Sequence, residues 1–201
     1  QQKFVHVISW INQIEPPKYP KKIDSSLAAT GLKLFTKHCK SCHGTYQKPE
    51  IYPNKVIALD VIKTDPMYAE FAQEGEIIKW YNSSWFSKSE PHSWFEPEEG
   101  YIAPPLDGLW ATAPYFHNGS VPTVTGVINS KLRPTYWKRS SKDSKDYDWQ
   151  NLGWNYQTKS KKTSKKVYDT TIPGYGNMGH YFGDKLSEQE QDALIEYLKM
   201  L

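Results

Sequence analysis

The sequence predicts a mainly α-helical domain with long loops, packed around a bound group that supplies part of its core. Two segments, residues 25–40 and 187–201, carry apolar residues at helical spacing, and no segment shows the alternation of a strand. Hydrophobic residues make up only 38% of the 201, although the chain contains 14 tyrosines and eight tryptophans. This length and composition favour one loop-rich domain with aromatic packing.

The first helix is predicted from about Ser25 to Lys40. Ser25 or Ser26 is expected to cap its N-terminus, because a serine hydroxyl accepts hydrogen bonds from unpaired amides of the first turn. Gly31 would allow another backbone to approach closely. The helix brings Cys39 to its C-terminal end.

Two further helices are predicted. A middle helix should run from Asp65 to about Tyr81, with Pro66 in its first turn, where its missing amide hydrogen has no consequence. The last helix should begin at Ser187 and continue to the end of the chain. Ser187 and Glu190 form the pattern of a capping box, and apolar residues follow at spacings of three and four.

The two cysteines of the chain lie in one motif, Cys39-Lys40-Ser41-Cys42-His43. Cys-x-x-Cys-His is the pattern at which haem is attached covalently, with the histidine as an axial ligand of the iron. A thioredoxin-like pair would need a βαβ pattern, a zinc site would need two closely spaced histidines, and a structural disulfide is the remaining alternative. The motif therefore predicts one covalent haem c held by Cys39, Cys42 and His43.

The chain is expected to form a single cytochrome c domain, 1–201, with three additions: an N-terminal extension (1–24), an aromatic-rich insertion (46–99) and a lysine-rich insertion (137–166). The lysine-rich insertion has nine basic residues against three aspartates, a net charge of +6 in a chain whose net charge is +3. Such asymmetry predicts either a docking surface for an acidic partner or a solvated mobile loop. Its basic residues are Lys138, Arg139, Lys142, Lys145, Lys159, Lys161, Lys162, Lys165 and Lys166.

A second motif spans Tyr101 to Pro122 and includes Thr-Ala-Pro-Tyr-Phe-His-Asn-Gly-Ser, residues 112–120. Together with Arg133-Pro134 and the Asn-Met-Gly-His stretch at 177–180, it resembles a superfamily of haem proteins. These are the di-haem cytochrome c peroxidases, the related maturation enzyme for tryptophan-derived quinones, and the di-haem rubber oxygenases, whose branch is the most similar. The resemblance covers roughly residues 25–45 and 100–201 and implies a class I cytochrome c-like helical domain.

The chain departs from this superfamily in three ways. It has one Cys-x-x-Cys-His motif where those enzymes have two. Residues 127–131 contain no good iron ligand where the peroxidases place Met or Tyr. Pro104 stands where an arginine often precedes the Pro-Leu of the second motif. A single-haem relative of di-haem enzymes is therefore expected.

The sixth ligand of the iron is expected from the loop before the last helix, as in class I cytochromes. His180 matches the recurrent Asn-x-Gly-His element, Met178 is the alternative, and an open or water-bound site is the third option. His117 is expected to tie its turn to the haem edge, or in an enzyme to act as an acid or base. Trp110 and Tyr115 are predicted to pack on the haem.

The predicted function is electron transfer by one haem with His43 and His180 as ligands. The partner would be an extracytoplasmic redox protein or a fused catalytic domain, docked by the lysine-rich insertion. The alternative is a peroxidase- or oxygenase-like enzyme with an open iron site. Haem is attached to this motif outside the bacterial cytoplasm, so a removed upstream segment and a periplasmic or secreted location are expected. No apolar run is long enough to span a membrane, and a nucleic-acid partner is not expected.

Overall fold

The computed structural model describes residues 2–73 and 75–201. Its helices are α1 (Gln2–Ile11), α2 (Ser25–His38), α3 (Lys40–His43), α4 (Leu59–Ile62), α5 (Met67–Gln73), α6 (Glu76–Ser83), α7 (Val124–Ile128) and α8 (Glu188–Leu198), with 3₁₀ turns at Leu109–Ala111 and Ser130–Leu132. Its strands are β1 (Val56–Ala58), β2 (Gly100–Ile102), β3 (Tyr136–Arg139), β4 (Tyr147–Asp148), β5 (Gly153–Trp154), β6 (Tyr156–Thr158) and β7 (Tyr168–Asp169).

The prediction of a mainly α-helical, class I cytochrome c-like domain is wrong as a statement of fold class. Helix accounts for 34% of the chain and strand for 12%. The strands form a β1–β2 pair, a three-stranded sheet in the order β6–β3–β7, and a β4–β5 pair, all antiparallel. Each strand is only two to four residues long, which is too short for an alternating pattern to be recognised in the sequence.

Helices α2 and α8 cross at Gly31, where the sequence predicted that another backbone could approach closely. A Cβ atom at residue 31 would lie 1.9 Å from the carbonyl oxygen of Ala193, so only glycine fits at this crossing. The ring of Phe35 packs on Tyr197 with centroids 5.2 Å apart. The crossing therefore fixes the position of α2 and of the motif that follows it.

The ends of these two helices were predicted with different success. Ser187 and Glu190 form the predicted capping box of α8, which ends at Leu198 rather than continuing to the last residue. The N-cap of α2 is Asp24, whose carboxylate accepts hydrogen bonds from the amides of Ser26 and Leu27. Ser25 or Ser26 as the cap was wrong, because the aspartate one residue earlier is an equally good capping residue.

The predicted middle helix from Asp65 to Tyr81 is two helices, α5 and α6. Gly75 lies between them with φ of +80° and is the N-cap of α6, so the helical path is interrupted there. Glu74 lies outside the described residues. The insertion 46–99 joins the rest of the domain through β1, which pairs with β2 in the register Ile57 opposite Tyr101.

The lysine-rich insertion is not one continuous loop. It contains β4, β5, β6 and most of β3, and the buried Trp137 stacks on Tyr168 with ring centroids 5.3 Å apart. Trp110, Tyr147 and Trp149 form an aromatic cluster with Tyr19 of the N-terminal extension. Across residues 2–73 and 75–201, no helix combines the length and the apolar character needed to cross a bilayer.

Candidate functional site

The cysteine motif follows the C-terminal end of α2, and its last four residues form helix α3. The chain turns at Cys39, whose carbonyl oxygen accepts hydrogen bonds from the amides of Cys42 and His43, so all three side chains lie on one short turn. Gly44 ends this turn with φ of +81°, and a Cβ atom there would lie 1.9 Å from the carbonyl oxygen of Ile51. Any residue with a side chain at position 44 would push the motif away from Ile51.

The Cys39 thiol does not resemble the attacking thiol of a redox-active pair. Cys39 and Cys42 are not joined to each other. Burial, with a smaller effect of Cys42, raises the pKa of the Cys39 thiol to about 12. Redox-active Cys-x-x-Cys pairs rely on a lowered pKa, which provides the thiolate that attacks a disulfide. The environment of Cys39 therefore argues against the thioredoxin-like alternative.

One ring nitrogen of His43 is fixed by the main chain. Nδ1 lies 2.9 Å from the carbonyl oxygen of Pro104, so Nδ1 carries the hydrogen and donates it. The other nitrogen, Nε2, then has a free lone pair and can bind a metal. Tyr46 holds the Pro104 segment in place, because its hydroxyl accepts a hydrogen bond of 2.6 Å from the amide of Leu106. Burial lowers the pKa of His43, which favours the neutral ligand form.

The ring of His180 faces His43, with 6.4 Å between the two ring centroids. Two imidazoles that bind one metal ion from opposite sides, each through a nitrogen at about 2 Å, place their centroids roughly 6 Å apart. Nδ1 of His180 is buried and has no hydrogen-bond partner among the described residues. Burial first, then His43 and Arg133, lower the pKa of His180 to about 4, so the ring is neutral. Met178 by contrast is 46% exposed.

The backbone of His180 is in the left-handed region, with φ of +51°. This conformation is unfavourable for a residue with a side chain and persists only where neighbouring groups fix it. Here the amide of His180 donates a hydrogen bond of 2.7 Å to the carbonyl oxygen of Ile62, at the end of α4. A Cβ atom on the preceding Gly179 would lie 2.2 Å from the amide nitrogen of Thr64. The segment 62–65 thus supports the histidine directly.

Two polar side chains, one buried and one half-buried, hold the start of the loop that carries His180, residues 174–180, which we call the His180 loop. One carboxylate oxygen of Asp65 accepts hydrogen bonds of 2.9 Å from the amides of Gly174 and Gly176. The amide group of Asn118 donates to the carbonyl oxygens of the same two glycines, at 3.2 and 2.8 Å. Both the amide and the carbonyl groups of these two glycines are therefore hydrogen-bonded to side chains outside the loop.

The other three residues predicted to contact the haem, His117, Trp110 and Tyr115, lie in different surroundings. His117 stacks on Tyr101, with centroids 4.0 Å apart and planes 14° from parallel, and burial lowers its pKa. Trp110 belongs to the aromatic cluster and donates a hydrogen bond to the carbonyl oxygen of Pro17. Tyr115 is buried in the core with its hydroxyl near two carbonyl oxygens. None of the aromatic contacts described for Trp110 or Tyr115 involves His43 or His180.

Sequence reasoning missed three supporting residues: Asp65, Asn118 and Arg133. Arg133 donates hydrogen bonds to carbonyl oxygens at 177, 179 and 180. Asp65 lies in a segment that showed no motif, and its partners are more than 100 residues away, so no local pattern could reveal it. Asn118 and Arg133 lie inside motifs that the sequence analysis recognised, and this was the only sequence feature that could have indicated their role.

Comparison with known proteins gives one family model and two curated relatives. Residues 100–138 match a model described as RoxA-like, cytochrome c-like. Uncharacterized protein y4iJ of Sinorhizobium fredii is 28% identical over 255 aligned residues, which cover 94% of this chain and 41% of the relative. Uncharacterized protein y4iM of the same bacterium is 25% identical over 233 aligned residues, covering 96% and 52%. The chain thus spans about half the length of these relatives or less.

The family match supports a relationship to the RoxA-like cytochrome c superfamily and a haem-binding cytochrome function. The match includes Pro104 and the His117–Gly119 turn but neither Cys39–His43 nor His180. The residues of this chain fit a haem on independent grounds, which are the fixed tautomer of His43, the spacing of the two histidine rings, and the buried unpartnered nitrogen of His180.

Proposed function

We propose that this chain is an electron-transfer domain with one covalently attached haem c. Cys39 and Cys42 would hold the haem through two thioether bonds, and His43 and His180 would be the two protein ligands of its iron. The observation that carries the proposal is the 6.4 Å spacing of the two histidine rings, which suits two nitrogens bound to one metal. The coarser conclusion, haem binding, has the independent support of the family match.

The bound haem supplies one-electron chemistry at its iron. With both His43 and His180 as ligands, the iron would have no open position for peroxide, dioxygen or water. Pro104 keeps His43 in the tautomer that binds through Nε2. Ile62 and the groups around the His180 loop hold the second histidine in place. This closed arrangement favours a carrier over a catalyst.

The lysine-rich insertion provides the docking surface in this proposal. Lys142, Lys145, Lys161, Lys162 and Lys165 are exposed, and none forms an ion pair with a carboxylate among the described residues. Unpaired surface lysines attract an acidic partner and accelerate its association at low ionic strength. The partner is then an extracytoplasmic redox protein or a catalytic domain of a longer polypeptide, and the location is periplasmic or secreted.

The optical and electron paramagnetic resonance spectra of the haem-loaded protein test the ligation. The wild-type protein should be six-coordinate and low-spin in both oxidation states, without the charge-transfer band of methionine ligation. His180→Ala should make the ferric haem high-spin, because one axial ligand is lost. Met178→Leu is the matched control in the same loop and should leave both spectra unchanged, since Met178 is largely exposed.

Covalent attachment is tested separately by denaturing electrophoresis with a haem stain. The wild-type chain should retain haem, and replacement of both Cys39 and Cys42 by serine should release it. A high-spin wild-type protein that reacts rapidly with peroxide would contradict the carrier function and favour the enzyme alternative. An unchanged spectrum in His180→Ala, with a changed one in Met178→Leu, would assign the ligand to Met178 instead.

A further inference from the structure

Arg133 uses its whole guanidinium group on main-chain carbonyl oxygens. An arginine side chain has five N–H donors, and each of them meets an acceptor here. Nε donates to Gly126 at 2.7 Å, and one Nη2 hydrogen donates to Val127 at 3.1 Å. The other three bonds go to the His180 loop: Nη1 donates to Asn177 at 2.8 Å and Gly179 at 2.6 Å, and Nη2 donates to His180 at 3.2 Å.

The two groups of acceptors lie in different kinds of structure, one in a helix and the other in a loop. Gly126 and Val127 lie in the last turn of α7, where carbonyl oxygens have no partner within the helix and favour a cation. This helix is anchored in the core by the buried Val124 and Ile128. The His180 loop has no regular secondary structure of its own. Arg133 therefore connects a segment without regular secondary structure to a helix that is anchored in the core.

The position of Arg133 is itself well defined. Its guanidinium carbon lies 4.9 Å from the ring centroid of Phe116 and 5.8 Å from that of Tyr181, which follows His180 directly. The ring of Phe116 in turn lies 6.0 Å from that of His180. The arginine thus contacts the backbone of the histidine and the aromatic ring beside it.

We propose that Arg133 is the positioning residue of the second haem ligand. It holds His180 in its unfavourable left-handed conformation, and this conformation directs the imidazole towards His43. The role rests on the proposed ligation by His180 and goes beyond it, because it assigns the control of coordination to a residue that does not touch the metal. A lysine cannot replace it, since one ammonium group has three donors and lacks the planar fork.

The test compares haem-loaded Arg133→Lys and Arg133→Met with Arg139→Lys. Arg139 is the other arginine of the chain and lies over the ring of Trp154, so it controls for the loss of an arginine as such. Both Arg133 variants should show a high-spin ferric fraction that wild type lacks. Added imidazole should restore the low-spin spectrum and should bind at least about tenfold more tightly than to wild type, where it must displace His180, a difference of ~1.4 kcal/mol.

The same titration distinguishes positioning from a merely structural role. If Arg133 only stabilises the fold, both variants will unfold at lower temperature but remain fully low-spin, with imidazole affinity equal to wild type, and the proposal is overturned. Arg133→Lys keeps the charge and most of the volume, so it secures the measurement if Arg133→Met does not fold. His180→Ala lacks the second ligand altogether, so its spectrum and imidazole affinity give the values expected when that ligand is completely lost. An unchanged His180→Ala spectrum would overturn the ligation and, with it, the role of Arg133.

Discussion

Replacing Gly31 by alanine should destabilise the domain, although alanine is the better helix former. The added Cβ atom would lie 1.9 Å from the carbonyl oxygen of Ala193 and 2.8 Å from Cβ of Tyr197. A normal contact between non-bonded atoms is roughly 3.5–4 Å, so the two helices would have to separate by more than 1 Å. The obstructing oxygen belongs to the α8 backbone and cannot rotate away as a side chain could.

The net effect follows from two opposing contributions. Alanine in place of glycine in a helix interior stabilises by about 1 kcal/mol. Overpacking of a close contact costs typically 1–3 kcal/mol and occasionally more, and a backbone obstruction belongs at the upper end. We expect the free energy of unfolding of Gly31→Ala to fall by about 2 kcal/mol. For a chain of this size, that loss lowers the melting temperature by roughly 4–8 °C.

Denaturant unfolding followed by far-ultraviolet circular dichroism measures this change. The matched control is Ala29→Gly, at an exposed position of the same helix, which reports the alanine–glycine difference without a contact and should lose about 1 kcal/mol. The close crossing would be refuted if Gly31→Ala gained as much stability as Ala29→Gly lost. Gly31 would then be an ordinary helix position.

Three more outcomes follow from the described hydrogen bonds. Asp65→Asn replaces one accepting oxygen by a donor, which then faces either the amide of Met67 or the amides of Gly174 and Gly176. The loss should be about 2–4 kcal/mol of unfolding free energy by denaturant titration; a neutral result would contradict the assigned bonds. Asn118→Asp removes both donations to the His180 loop and should raise its amide hydrogen exchange, whereas unchanged exchange would dismiss Asn118 as a support. Hydrogen bonds from Ser187 lower the pKa of Glu190, so the stability that this carboxylate contributes is present above its unfolded pKa and is lost as the pH falls through the folded value. Glu190→Ala should therefore unfold more easily than wild type at neutral pH but equally in acid, and a difference that persists in acid would exclude this origin.

The sequence was most informative where a structure depends on residues close together in the chain. The capping box at Ser187 and the role of Gly31 both follow from local rules, and the structure confirms them. The division of the middle helix also had a local cause, Gly75, but glycine is tolerated in many helices and does not announce a break. The strands escaped prediction because two to four residues carry no usable period.

The candidate site was only partly predictable for a different reason. His43 follows from a five-residue motif, and the resemblance to a known superfamily indicated His180. The hydrogen bonds that position His180 come from Ile62, Arg133 and other residues 44 to 118 positions away. Such pairings are specified by tertiary packing, which periodicity and spacing cannot represent. For the same reason the segment 46–99 showed no motif, although its residues 62–65 support the histidine.

The two halves of the site should form at different stages of folding. Cys39, Cys42 and His43 lie within five residues, so they can meet a haem while the rest of the chain is still unfolded. The His180 loop has almost no internal hydrogen bonds and depends on partners from three distant segments, whose closure is slow for entropic reasons. Under the proposed ligation, haem attachment would therefore precede the binding of His180, and an incompletely folded chain would hold its haem through His43 alone.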